Sequence, residues 1–384
     1  MKILLVNIAN FSKSEGASIH QTSIARWLLK RKYEVKILTP KRKKDHEYKS
    51  IKNSIVFTPS FGDYLPGSFD SFLQIPLIIK YRFKNYKILY SRLNSMSFFL
   101  ITVAKLLGFK VVLEHNTILS EDRKTELNFN NNFIIRFEKM NQIISSRIAD
   151  KNRCVTEQIS NYLFKNSIPK EKLVVIGNGS FFLSRSYPNN KYKKYIFDKK
   201  NYFYVGYAGS LSNYEGLENL ITCAKYCRSI KKKVKFIIAG DGPNRVRLEN
   251  LAIDEGLINQ FDFIGYVKNS MIKSIIKNFD ISIAPLLSSR NYKTGLSSIK
   301  IRDYCASKSV VLTSHIHEHV NLSSLNVVFT FKNNTSRSIA EAINFLIKNP
   351  NLRKTLANNA YNYSLKNFSW DKIGKRIENE LLNF

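Results

Sequence analysis

Residues 205–221 read VGYAGSLSNYEGLENLI: an apolar run, a glycine turn, then apolar residues at helical spacing. Strand, tight turn and amphipathic helix are the units of an α/β protein. The same unit recurs on both sides of this stretch. Upstream, short β-branched runs are KILLVNI, YEVKILT, SIVFT, KILYSR, FKVVLEH, NRCVT and EKLVVIG, with helical patterns such as ASIHQTSIARWLLKRK and FIIRFEKMNQIISSRIAD between them. Downstream come VKFIIAG, QFDFIG, DISIAP and SVVLTS, again separated by helices, and three helical patterns close the chain. Such alternation predicts parallel sheets with helices on both faces, where ligands bind at the carboxyl ends of the strands. The polar, aperiodic run SRSYPNNKYKKYIFDKKN at 184–201 divides the pattern into two doubly wound domains with a cleft between them.

The chain has 384 residues, enough for two cores of ordinary size, and 44% hydrophobic content excludes a disordered protein. The cysteines Cys154, Cys223, Cys227 and Cys305 show no paired metal spacing and read as reduced thiols of a cytosolic protein. The run ILLV after Met1 and Lys2 reads as a first strand, not a secretory signal. SFFLITVAKLLGF, from Ser97, contains Lys105 and is too short to span a bilayer. A net charge of +32, with basic runs at Lys41, Lys80, Lys191 and Ser229, favours anionic partners or reflects a coding bias toward Lys, Asn and Ile. No zinc finger, RNA-binding aromatic strand or helix-turn-helix accompanies the charge, which argues against nucleic acid.

Three turns carry candidate ligand chemistry. The turn at Gly209 opens a helix whose N-terminal amides would suit a phosphate, yet its ionisable group is acidic, Glu215. Ser212-x-x-Glu215 reads as a capping box, the carboxylate turned back to its own helix. FIIAGDGPNRVRLENLA, from Phe236, is a tight βα turn through Gly240 and Gly242 with Pro243 near the first helical position. LVVIGNGS, from Leu173, ends in a Gly-Asn-Gly turn. HIHEH, from His315, would place alternate histidines roughly 6.6 Å apart if extended, too far for one ion to take all three.

The order of these pieces, EGAS near Gly16, NG at Asn178, GSLSNYEGLENLI, AGDGP, FIGYV, DISIAP and SSIKIRDYCASKSVVLTS, resembles glycosyltransferase family 4 over nearly the whole chain. The resemblance implies a GT-B fold: two Rossmann-like domains facing across a cleft, with a C-terminal helix at FSWDKI returning to the first. The boundaries expected are 1–185, a linker at 186–201, 202–365, and a returning helix at 366–384. It also implies a retaining enzyme that uses a nucleotide sugar, UDP- or GDP-linked, with no other cofactor and no metal. Gly209, Ser210, Gly240, Gly242, Tyr266 and Val267 would surround the nucleotide; Ser297, Ser298 and Ile299 would open the helix under the sugar and diphosphate. Two family acids separated by seven residues fall on Gly295 and Asp303, so the first is missing and the second would hold ribose hydroxyls. The family's diphosphate-facing arginine and lysine fall on Ser210 and Glu215. Lys300, three residues ahead of Asp303, matches a variant subgroup and would supply the compensating cation. Gly16 and Ala17 match the loop that approaches diphosphate and acceptor. His115 and Asn116 both stand near the expected reaction centre: Glu-x-Asn spacing favours Asn116, residue identity favours His115.

The expected acceptor is a glycan or lipid-linked glycan of a bacterial surface polysaccharide such as capsule, O-antigen or exopolysaccharide. The expected place is the cytoplasm, peripheral to the inner face of the membrane through the basic runs, as a monomer or weak dimer. Two other readings stay open: a GT-B nucleotide-sugar epimerase, or a non-catalytic nucleotide-sugar-binding protein, suggested by Gly295, Ser210 and Glu215.

Overall fold

A computed structural model describes residues 1–8, 16–41, 49–62, 67–126, 132–183, 195–227, 233–286, 293–295 and 297–384. By its internal contacts the chain divides into two units, Met1–Gly179 with Lys293–Ser297 and Trp370–Phe384, and Ser180–Tyr292 with Ser298–Ser369.

The first unit holds seven strands: β1 (Lys2–Val6), β2 (Glu34–Pro40), β3 (Ile55–Thr58), β4 (Ile88–Arg92), β5 (Lys110–His115), β6 (Lys151–Cys154) and β7 (Leu173–Val175). They form one parallel sheet in the order β3-β2-β1-β4-β5-β6-β7. Ile3, Leu4 and Leu5 of β1 are fully buried, as expected of a central strand covered on both faces. The second unit repeats the plan with β8 (Tyr202–Ala208), β9 (Lys233–Ala239), β10 (Phe261–Gly265), β11 (Ile281–Ala284), β12 (Val311–Ser314) and β13 (Phe329–Phe331). Its parallel order is β10-β9-β8-β11-β12-β13. In each sheet the chain starts in the middle and winds outward in both directions. The crossovers from the two central strands therefore leave in opposite directions, opening a crevice at their carboxyl ends: β1 with β4, and β8 with β11.

Twelve of these strands coincide with runs legible in the sequence; β13, only three residues long at the sheet edge, had no run of its own. Residues 184–194 lie outside the described residues, but Phe197 packs edge-on against Tyr204 at 5.0 Å, inside the second unit. The HIHEH stretch is not extended past Ile316: a helix, His317–Ser324, begins there. His319 is buried, its Nδ1 3.1 Å from the Ser314 carbonyl oxygen and 3.2 Å from the Thr313 hydroxyl. All four cysteines are buried free thiols. Among the described residues no helix is long and apolar enough to cross a membrane.

The terminal helix Trp370–Ile377 belongs to the first unit. The Trp370 ring closes on Gly179, where a Cβ would come within 2.9 Å, and tilts against the ring of His20 at 5.5 Å. One turn on, Gly374 faces the indole of Trp27, leaving 2.2 Å for an added Cβ. Tyr33 donates to Glu378 at 2.5 Å just beyond. Glycine at 374 is thus a packing requirement, despite its poor helix propensity. Gly374→Ala should lower stability by about 1–3 kcal/mol through overpacking, although Ala is the better helix former. Thermal unfolding that stayed unchanged or rose would remove this assignment.

Candidate active site

In the first unit a set of ionised groups is sealed into the sheet. Glu114 of β5 and Arg153 of β6 are register partners, both fully buried, with the Arg153 guanidinium donating to Glu114 Oε2 at 2.8 Å. Tyr90, on β4, donates its hydroxyl to the same oxygen at 2.6 Å, and His20 Nε2 lies 3.0 Å from it. Its Nε and Nη2 donate to the carbonyls of Ile176 and Gly177 at 3.0 and 2.8 Å, and Nη1 also reaches the Tyr90 hydroxyl at 3.0 Å. Burial by itself would raise the Glu114 carboxyl; the electrostatic pull of His20 and then of Arg153, with the hydrogen bond to His20, outweighs it and holds Glu114 well below the usual carboxylate range. Burial lowers His20 against the opposing charge of Glu114, and its Nε2 lies 3.0 Å from Glu114 Oε2 and 3.1 Å from Arg153 Nη1.

This cluster separates the two candidates that follow it. His115 is fully buried, its ring nitrogens 2.9 Å from Asn152 Oδ1 and 3.2 Å from Gln142 Nε2, and burial drops it to about 4. A substrate reaches that ring only by displacing both neighbours, so His115 is a core residue. Asn116 is half-exposed, with its amide donating to Glu114 Oε1 at 2.6 Å. Gly16 and Ala17 stand in the first turn of the helix Gly16–Lys30; residues 9–15 before them lie outside the described residues.

In the second unit the turns that follow β8 and β9 touch backbone to backbone. A Cβ on Gly240 would lie 1.8 Å from the carbonyl oxygen of Gly209, and one on Gly242 would lie 2.7 Å from the Leu211 amide nitrogen. Gly209 leaves room for another residue, since a Cβ there would meet Lys300 Cε at 2.8 Å. Lys300 belongs to the helix Ile299–Ala306, which follows β11 and is capped by Ser298 Oγ accepting from the Ile301 amide at 3.4 Å. One turn later on the same face, the Tyr304 hydroxyl accepts the Ala208 amide at 2.8 Å and ties this helix to the end of β8.

So held, the Lys300 ammonium donates to the Tyr207 hydroxyl at 2.8 Å and forms an ion pair with Glu215. Only 11% of the Lys300 side chain is exposed; burial lowers it and the Glu215 charge opposes that shift. The capping-box expectation for Glu215 is therefore corrected. Ser212 makes no side-chain cap, and the helix Leu217–Cys223 starts at Gly216, also without one. The glutamate turns across to the lysine because the tertiary fold delivers a buried cation there, a stronger partner than amides that water can solvate. Two of the three ammonium hydrogens are thus used.

The other expected residues fall around this pair or apart from it. Ser210 is exposed, its hydroxyl 3.0 Å from that of Ser212; Tyr266 is exposed and Val267 buried. Asp303 is buried, one oxygen accepting the Ser180 hydroxyl at 2.5 Å. Ser297 accepts the Asn178 amide at 2.8 Å, within the first unit. Gly295 has a backbone reason for lacking the family acid. Its φ is +64°, and a Cβ would lie 2.3 Å from Gln158 Oε1 and 2.9 Å from Thr156 Cβ. Tyr207, Ser180 and the Glu114 cluster escaped sequence reading. The available signal was charge inside apolar strand runs, VVLEH and NRCV.

Two family models match the chain: Glycosyltransferase Family 4 over residues 14–180 and Glycosyl transferases group 1 over residues 188–363. Between them they take in every strand but β1, and the chain belongs to family 4 of the glycosyltransferases, with the GT-B fold. It is 27% identical over 258 residues to an uncharacterized glycosyltransferase of Methanocaldococcus jannaschii, covering 66% of this chain and 64% of that one. It is 23% identical over 242 residues to the capsular polysaccharide biosynthesis glycosyltransferase CapM of Staphylococcus aureus, covering 58% of this chain and 59% of that one. These matches span 64% and 59% of the relatives' lengths. The crystal structure of Anabaena HepE with UDP-glucose superposes with a TM-score of 0.75 over 100% of both chains, at 17% identity.

Two stability measurements test the site. His115 and His319 both fall from 6.5 to about 4 by burial, so below pH 6.5 the unfolded chain takes up protons that the folded chain refuses. Stability should therefore decline as pH falls from 6.5 toward 4, each histidine adding up to about 1.4 kcal/mol per pH unit. His115→Gln with His319→Gln should flatten that slope; an unaltered slope would refute the burial assignment. For the ion pair, Lys300→Met or Glu215→Gln alone leaves an uncompensated charge, with a loss of up to about 3–5 kcal/mol. The double variant should recover most of it, and additive losses in denaturant unfolding would show that the two residues do not interact.

Proposed function

We propose that the protein is a retaining glycosyltransferase that moves a sugar from a nucleotide diphosphate-sugar, without a metal, to a glycan or lipid-linked acceptor in surface-polysaccharide synthesis. The observation that carries the reading is the Lys300–Glu215–Tyr207 set, placed where the β8 and β11 crossovers diverge and beside the Gly209–Gly240 contact. A nucleotide diphosphate fits that crevice because backbone can approach it closely at both turns and the helix Ile299–Ala306 directs its positive end there. HepE, bound to UDP-glucose, supports the donor class, and CapM supports the polysaccharide setting.

In this reading the anomeric carbon exchanges its bond to a diphosphate oxygen for one to an acceptor hydroxyl oxygen on the same face. The hydroxyl proton leaves with the diphosphate. Negative charge grows on the departing oxygen, where the remaining Lys300 N–H and the helix N-terminus stabilise it. Glu215 fixes the ammonium in place and lowers its net charge, so the donor meets an oriented hydrogen-bond donor in place of a mobile cation. Asp303, held by Ser180, takes the ribose hydroxyls.

The test incubates the protein with a panel of UDP- and GDP-sugars, follows nucleotide release, and identifies products with and without acceptor. Glycan extension supports the proposal; a free sugar epimer formed without acceptor would make the protein an epimerase, and binding without turnover a sensor. Lys300→Met should reduce turnover by about 100-fold, the scale of losing one stabilising donor to a developing oxyanion. The Lys300→Met/Glu215→Gln double variant should regain stability without regaining turnover. Normal turnover in the double variant would free Lys300 from any part in the reaction.

A further inference from the structure

Arg92 ends β4, next to β1, at the crevice where the first unit's crossovers diverge. Leu89 of β4 and Leu113 of β5 take the sheet face that forms a core with Ile78 and Leu100 of the covering helices. Side chains alternate along a strand, so Arg92 shares the opposite face with Tyr90. Its register partner on β5 is Glu114, on that same face in contact with Tyr90. The Arg92 guanidinium is half-buried, and among the described residues no hydrogen bond or ion pair ends on it.

The carboxylate beside it is already occupied. Glu114 Oε2 takes Arg153, Tyr90 and His20, and Oε1 takes the Asn116 amide. Asp122, in the helix Leu119–Glu126, attracts Arg92 without forming an ion pair with it. Burial therefore prevails and lowers Arg92, against the pull of Glu114 and Asp122. Arg153, one strand further, shows the alternative: every nitrogen of its guanidinium is bonded. Idle donors on a half-buried cation oppose folding, and an incoming anion would satisfy them. The planar fork of a guanidinium matches the paired oxygens of a carboxylate or a phosphate. Next to it, the half-exposed Asn116 amide is fixed by Glu114, and among the described residues its Oδ1 has no partner.

We propose that Arg92 binds the anionic group of an acidic sugar, holding a carboxylate or phosphate in its fork while Asn116 Oδ1 accepts from a neighbouring hydroxyl. A neutral sugar lacks the paired charged oxygens, so the residue selects for charge. That this sugar is the acceptor rests on the transferase reading, in which the second unit takes the donor; the anion site itself does not. The acceptor class is then a uronic acid or a phosphorylated sugar.

The experiment titrates the full chain with glucuronate, glucose 1-phosphate and glucose by saturation-transfer NMR at one ionic strength, and separately with UDP. The wild type should bind at least one of the two acidic sugars about ten-fold or more tightly than glucose, and which one separates carboxylate from phosphate. Arg92→Gln should lose that preference, Arg92→Lys should keep part of it, and Lys300→Met should keep all of it. Both Arg92 variants should bind UDP as the wild type does and melt with it, since no partner of Arg92 is left stranded. No preference in the wild type, or an intact one in Arg92→Gln, would overturn the proposal. So would a preference lost in Lys300→Met alone, which places the anion in the second unit. A lower melting point in Arg92→Gln, restored in Arg92→Lys, would show a structural partner and overturn it as well. A wild type that prefers acidic sugars but binds no UDP would fail the donor reading and still support the Arg92 site.

Discussion

Lys300 and Glu215 are 85 residues apart in the chain and share one nearly dry crevice. Neither charge is stable there alone, because removing an ammonium or a carboxylate from water is expensive unless the other stands beside it. Much of the second unit's central architecture serves this meeting. β8 and β11 are neighbours, so the turn after one and the helix after the other are delivered to the same place. The Tyr304 hydroxyl fixes the helix to the end of β8, and Gly209 leaves the lysine chain its path. A side chain at Gly209 would collide with Lys300, and one at Gly240 with the Gly209 carbonyl.

The first unit solves a related problem differently. Glu114 and Arg153 are buried at one register position in the centre of a parallel sheet, with Tyr90 and His20 completing the hydrogen bonds. Such a cluster adds little net stability over an apolar core, but breaking any part of it leaves a charge stranded. Its surviving free edge is Glu114 Oε1, which holds Asn116. The fully buried residues are structural, and the one half-exposed amide attached to them is presented to solvent in a fixed pose.

The polar inner face of the helix Asn132–Ile148 follows from the same geometry. The segments that follow β4 and β5 present the Asn94 carbonyl and the first-turn helix amides of Phe98 and Leu119, and the helix lying over them supplies hydrogen bonds. Its apolar residues are then displaced to the outside. Hydrogen bonding to the strand ends and an apolar outer surface are thus two faces of one helix.

The sequence by itself determined the α/β class, twelve of thirteen strands, the two-unit plan and the turns at Gly209 and Gly240, because strand and helix periodicity and glycine turns are local properties of the chain. It also marked Lys300 and the His115–Asn116 pair. It did not determine what these groups touch. A capping box at Ser212 and Glu215 was a sound local reading, and a lysine from a distant helix overrode it. His115 and Asn116 are adjacent in sequence, yet strand alternation sends one ring into the core and leaves the other side chain half-exposed. The amphipathic period of residues 132–148 fixed a helix but not which face turns inward, since that depends on the polar loops beneath it. Pairing of charges, direction of faces and the positive φ at Gly295 are long-range outcomes, decided only when strands distant in sequence become neighbours in the sheet.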